Sequence, residues 1–187
     1  MQAELDPIFN FLRGRAGNFI YRKVRGKTIV SPKPVYNGAS LSPAQAEQRE
    51  RFMAAVAYGK TALADNETRP LYEELAKKKD LPVFALTIAD YFNAPVIHTV
   101  NALSYNGNIG DTITIIASDD VGVQKVEVAI SDDQDNPLET GAAIETAAGS
   151  GQWVYTATAQ GASAVRIQVT ATDRPGGIAV TNIEKSI

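Results

Sequence analysis

Asp90-Tyr91-Phe92-Asn93-Ala94-Pro95-Val96-Ile97-His98-Thr99-Val100 is where the chain changes character. Before Asn93-Ala94-Pro95 it reads as short helices plus one basic hairpin. After it, short alternating strands are separated by Gly, Asp and Asn. The charge breaks at the same place. Residues 1–95 hold 14 Lys/Arg against 10 Asp/Glu, and residues 96–187 hold 4 against 11, so halves of about +4 and −7 make up the net −3. Such asymmetry suggests two modules with different partners, or one molecule whose two ends attract each other. The reading is an α+β chain of two modules, a small helical module with a basic β-hairpin over 1–95 and an antiparallel β-sandwich over 96–187.

At 187 residues and 44% hydrophobic content, the chain is long enough and apolar enough for two modest cores. It has no cysteine, which excludes a disulfide framework, thiolate metal sites and cysteine nucleophiles. Met1-Gln2-Ala3-Glu4-Leu5-Asp6-Pro7 has acids where a signal peptide has cations. No apolar run approaches the about 20 residues that span a bilayer. The expected location is therefore the cytoplasm, or release without a cleaved signal, as in virus-like assembly and lysis.

Asp6-Pro7 offers an N-cap and a first-turn proline for a short helix with Ile8, Phe11 and Leu12 on one face, ended by Gly14 and Gly17. Residues 18–24 then read as a strand, Arg25-Gly26 as a tight turn and Lys27–Val30 as the returning strand, stopped by Pro32 and Pro34. Between Pro7 and Ala46 there is no acid, while Arg13, Arg15, Arg22, Lys23, Arg25, Lys27 and Lys33 are interleaved with Phe9, Phe11, Phe19, Tyr21 and Tyr36. Cations with aromatic faces between them can track a phosphate backbone and stack bases. The same residues also fit a hairpin with an aromatic core and a solvated charged face, or a basic face that docks on an acidic surface of a neighbouring subunit.

Ser42-Pro43-Ala44-Gln45 is a capping box with proline at the first helical position, and it predicts a helix to about Ala64 that buries Phe52, Val56 and Leu63. A second helix is expected from Pro70 to about Lys79, burying Leu71, Tyr72 and Leu75 and ending in Lys77-Lys78-Lys79, where cations complement the helix dipole. Pro82 opens a third over Val83–Phe92. Gly14, Gly17-Asn18, Tyr21, Gly26-Lys27, Pro32, Pro34, Gln45, and Arg49 with Phe52 resemble a pattern in uncharacterised bacterial proteins, frequent in Bacteroidetes, related to the domain of unknown function numbered 6266. The resemblance covers residues 12–60 and implies a fold without an established activity.

Seven strands are expected in the second half, over 96–101, 111–118, 123–131, 137–140, 152–159, 164–173 and 177–184. Ile113, Ile115 and Ala117 share a face, as do Val126, Val128 and Ile130, then Trp153, Tyr155 and Ala157, then Val165, Ile167, Val169 and Ala171. Gly110-Asp111, Ala117-Ser118-Asp119-Asp120 before Gly122-Val123, and Ala171-Thr172-Asp173-Arg174-Pro175-Gly176-Gly177 make this half similar to bacterial immunoglobulin-like domains. That resemblance implies a spacer, adhesin or virion decoration. Asp119, Asp120, Asp132, Asp133, Asp135 and Asp173 all fall at strand ends. If some share one end of the sandwich, they could hold Ca²⁺, which takes about six to eight oxygen ligands; turn chemistry alone also favours Asp there.

His98 is the only histidine, and the sequence supplies no serine or carboxylate motif around it. A triad or imidazole-based metal site cannot be built from one histidine. Gly14-Arg15-Ala16-Gly17 lacks the strand and helix context of a phosphate loop. The sequence therefore points away from an enzyme and toward a structural or assembly protein. Its hairpin cations would meet acids such as Asp132, Asp133 and Asp135 of another copy in head-to-tail contacts. The rival is a nucleic-acid-associated protein that binds through residues 13–33.

Overall fold

β3 (Phe19–Val24) and β4 (Lys27–Pro32) pair antiparallel, from Phe19 opposite Pro32 to Val24 opposite Lys27. Gly26 takes φ of 81° at their turn, a conformation open to glycine at little cost. β1 (Ala3–Glu4) flanks β4 and β2 (Gly14–Ala16) flanks β3, completing a four-stranded sheet in the order β1-β4-β3-β2. The glycines expected to end a helix instead belong to a second hairpin. Gly14–Ala16 is a strand, and Gly17-Asn18 is its two-residue turn to β3, with Gly17 at φ 57° in the first central position. The structure, a computed structural model, describes residues 3–4, 12–24, 26–35 and 42–187. The helix expected around Ile8 and Phe11 lies outside them, and Leu12 and Arg13 have no regular structure.

α1 (Pro43–Ala64) starts where the capping box predicts. Ser42 Oγ accepts from the Gln45 amide at 3.3 Å, and Gln45 Oε1 accepts from the Ser42 amide at 3.0 Å. Its buried side is not the expected one. Ala55, Gly59 and Ala62 are buried, Val56 and Leu63 are half-buried, and Phe52 is exposed. Small residues win because α1 lies very close to α3 (Val83–Phe92): a Cβ built on Gly59 would stand 2.5 Å from Thr87 Oγ1. α2 (Thr68–Lys78) buries Tyr72 and Ala76, with Lys77 and Lys78 in its last turn. Tyr72, Ala62, Ala76 and Leu86 form a helical core, against which Val121 of a strand-connecting loop also packs.

The second half forms two four-stranded antiparallel sheets. One holds β5 (Val96–Asn101), β6 (Thr112–Ser118), β10 (Gln152–Thr156) and β9 (Ile144–Glu145) in that spatial order. The other is ordered β12 (Ile178–Ser186), β11 (Ala164–Asp173), β7 (Val123–Asp132) and β8 (Pro137–Ala142). All four alternating sets enter one shared core, with Ile113, Ile115, Val126, Val128, Ile167 and Val169 fully buried, so the architecture is a β-sandwich. Each such side chain contributes about 1.5–3 kcal/mol over leaving it in water. Trp153 is buried with them. β9 is an addition to the expected strands. β12 lies at a sheet edge, and Lys185 on its inward side donates to the carbonyl oxygen of Ala102.

Contacts divide the chain into two compact units, Met1–Ala46 and Glu47–Ile187. The switch at Asn93–Pro95 marks where helix gives way to strand, while compactness divides the chain earlier. The helices adhere to the sandwich through Val121, and through Lys79 and Asn93, which both reach Asp120. No helix among the described residues is long and apolar enough to cross a membrane.

Candidate functional site

Strand register decides what the hairpin cations can do. Arg15 stands opposite Ile20, Ile20 opposite Ser31, Arg22 opposite Ile29 and Val24 opposite Lys27. Directly opposed residues share a face and alternate ones switch it, so Arg15, Arg22 and Lys27 lie together beside Ile20 and Ile29. All three are exposed. The other face carries Phe19, Tyr21, Lys23, Thr28 and Val30, and Thr28 on it is fully buried. The cation face and the aromatic face are therefore opposite sides of one sheet, apart from Lys23. Arg13 precedes β2 and Lys33 follows β4, both exposed, with the Lys33 amide on the Asn18 carbonyl at 2.7 Å. Arg25 lies outside the described residues.

Strand direction likewise sorts the acids. β7 runs from Val123 to Asp132, and β11 returns so that Val165 faces Asp132 and Asp173 faces Val123. Asp132, Asp133 and Asp135 thus sit at one end of the sandwich, and Asp119, Asp120 and Asp173 at the other. In the first trio, Asp132 caps its turn, accepting from the amides of Gln134 and Asn136 and from Asn136 Nδ2 at 2.8–2.9 Å. These donors, Asn136 foremost, hold its carboxyl below the usual range. Asp135 pairs with Arg166, which also reaches Glu184 at 3.3 Å.

The second trio meets the helices. Asp119 Oδ2 accepts from the amides of Val121 and Gly122, both at 3.1 Å. Asp120 takes Asn93 Nδ2 at 2.6 Å and Lys79 Nζ at 3.5 Å. Asp173, 1% exposed, accepts from the amides of Gly176 and Gly177 at 2.8 and 2.5 Å. Burial still pushes its carboxyl up, against the pull of those amides. Among the described residues, no group of three or more acidic or imidazole side chains is arranged to hold a metal ion. Of the acids expected as Ca²⁺ ligands at this end, Asp119 and Asp173 cap turns, while Asp120 is taken up by Asn93 and Lys79.

Sequence reading missed a buried acid and the two tyrosines that hold it. Asp90 is fully buried on α3 and accepts a short hydrogen bond from Tyr72 Oη, which lies 2.7 Å from Tyr58 Oη. Burial pushes the Asp90 carboxyl up to about 7, with Tyr72 pulling it down and the nearby Asp119 and Asp173 carboxylates pushing it further up. Burial, then the Asp90 hydrogen bond, raises the Tyr72 hydroxyl far above its ordinary value. The local signal was one acid within the otherwise apolar Val83–Phe92 helix. His98 is exposed on β5, with Nε2 2.7 Å from Ser118 Oγ, a neighbour supplied by strand pairing.

No family model matches the chain, and no curated protein matches it. Among solved structures, it is similar to CopC from Methylosinus trichosporium OB3b at 12% identity and a TM-score of 0.39, over 49% of this chain and 91% of CopC.

Proposed function

We propose that this chain is a non-enzymatic structural or assembly protein that docks through the basic face of its N-terminal sheet onto an acidic surface of another copy. The second unit presents a sandwich of the immunoglobulin-like kind, as in virion-like, filamentous or surface assemblies. What supports this reading most is the register that gathers Arg15, Arg22 and Lys27, all exposed, onto one side of the sheet. Such a face, with Ile20 and Ile29 between the cations, suits a protein surface with apolar ground and fixed acids. Asp133 and Glu184 flank the end of the sandwich where Asp132 and Asp135 also sit, and supply such acids. Phe19 and Tyr21 turn away from these three cations and share their face with Lys23 alone among the described hairpin cations, which weighs against phosphate contact and base stacking on one surface.

Head-to-tail contacts of this kind form rings or open filaments and weaken with salt. The test is light scattering on the full chain at low and high salt, for the wild type and for Arg15→Glu with Arg22→Glu. Assemblies that dissolve in salt and in the double variant support the reading. A wild-type monomer at high concentration and low salt overturns it, and salt-sensitive DNA binding lost in the same variant replaces it with a nucleic-acid role.

A further inference from the structure

We propose that Asp90 and Asp119 share a single proton, and that this proton latches α3 to the loop between β6 and β7, loosening the helices from the sandwich when it leaves. Asp90 Oδ2 is occupied by Tyr72 and Asp119 Oδ2 by the amides of Val121 and Gly122. The remaining oxygens, Asp90 Oδ1 and Asp119 Oδ1, are both buried without a partner, yet the two side chains stand within hydrogen-bonding reach of each other. Two carboxylates cannot both ionise there without facing each other across a site that excludes water. One proton between them gives each orphan oxygen a partner and leaves a single charge. A metal ion is the other way to satisfy such oxygens, and the arrangement does not supply its ligands.

Every element packed on the pair contributes a charged or titratable group. Tyr72 of α2 donates to Asp90, Tyr58 of α1 backs Tyr72, and Asp173 at the end of β11 adds a negative charge. Arg174, beyond β11, is the cation nearby, acting on Tyr58. The pair therefore sits where three helices and two strand-end loops converge. Loss of its proton to solvent leaves two like charges on elements that otherwise hold together through Val121, Lys79 and Asn93.

The folded chain retains a proton on Asp90 that the unfolded chain has released, from the ordinary carboxylate range up to about 7. Stability must then fall as pH rises through that window and level off above it, about tenfold in the folding equilibrium per pH unit for one proton. The experiment is a Cγ chemical-shift titration of the aspartates by NMR on the full chain, with urea stability measured from pH 5 to 9. The expected result is one aspartate titrating near neutrality together with a stability profile that declines and then flattens. Asp90→Asn should remove both. If Asp90→Asn does not fold, Asp119→Asn, which can donate its amide to Asp90, should move the neutral titration down toward the ordinary carboxylate range, with burial still holding it above that range. An Asp90 signal that titrates like a free carboxyl overturns the proposal, as does a pH profile unchanged in the variants. Stabilisation of the wild type at pH 8 by Ca²⁺ or Mg²⁺, abolished in the variants, overturns it in favour of a cation.

Discussion

Replacing Gly59 with alanine sets two well-measured effects against each other. Alanine in a helix interior is favoured over glycine by about 1 kcal/mol. Against that, the new Cβ would lie 2.5 Å from Thr87 Oγ1 and 3.1 Å from Phe84 Cε2. The first distance is about 1 Å inside ordinary contact. Thr87 is fully buried, and its hydroxyl donates to the Phe84 carbonyl at 2.9 Å, so it cannot rotate away without losing that bond. Overpacking of this kind costs about 1–3 kcal/mol, and a buried hydroxyl left unpaired costs about as much again. The sum over the helix gain is a net loss of about 1–5 kcal/mol. Urea unfolding followed by circular dichroism measures it directly. The double variant with Thr87→Ala removes the clashing oxygen and should be less unstable than the two single losses added together, by about 1 kcal/mol or more. A Gly59→Ala protein as stable as the wild type, or more so, would refute the close α1–α3 packing.

Three further substitutions test other layers. Ile167→Ala, in the centre of the sandwich, should cost about 2–5 kcal/mol in urea unfolding, because the cavity lies between two sheets that cannot collapse onto it. Ser42→Ala should cost about 1 kcal/mol and speed hydrogen exchange at the Gln45 amide, which loses its acceptor. Asp111 accepts from the amides of Asn106 and Asn108 at 2.6 and 3.0 Å, and these, Asn108 foremost, hold its carboxyl below the usual range. Its contribution is thus present above the unfolded carboxylate value and disappears as pH falls through the folded one. The stability gap between wild type and Asp111→Ala, read from thermal midpoints, should therefore close as pH is lowered, opposite in sign to the trend from Asp90.

The sandwich was legible because its strands bury every second residue, a period that Val165, Ile167, Val169 and Ala171 state without help from the rest of the chain. The β3–β4 hairpin was legible for its turn glycine and its terminal proline. α1 was misread on its buried face because Phe52, Val56 and Leu63 form an apolar stripe, while the contact runs through the neighbouring stripe of small residues Ala55, Gly59 and Ala62. β2 has no alternation to read, since Gly14-Arg15-Ala16 becomes a strand only by pairing with β3. The division of cations between two faces needs the register, and the division of acids between two ends needs strand direction. Asp90 is one acid in an apolar helix until Tyr72 and Asp119 are brought to it from 18 and 29 positions away.

Lys185 has a consequence for how copies of the chain behave in solution. β12 exposes a nine-residue sheet edge that bears Ile178 and Val180, and edges of that length invite another strand. By sending an ammonium inward to the carbonyls of Ala102 and Leu103, the strand carries near its end a charge that an incoming strand would have to bury. An apolar residue there would leave the sandwich folded while favouring its growth edge on edge into fibrous aggregates. A charge in that position works against strand addition along this edge.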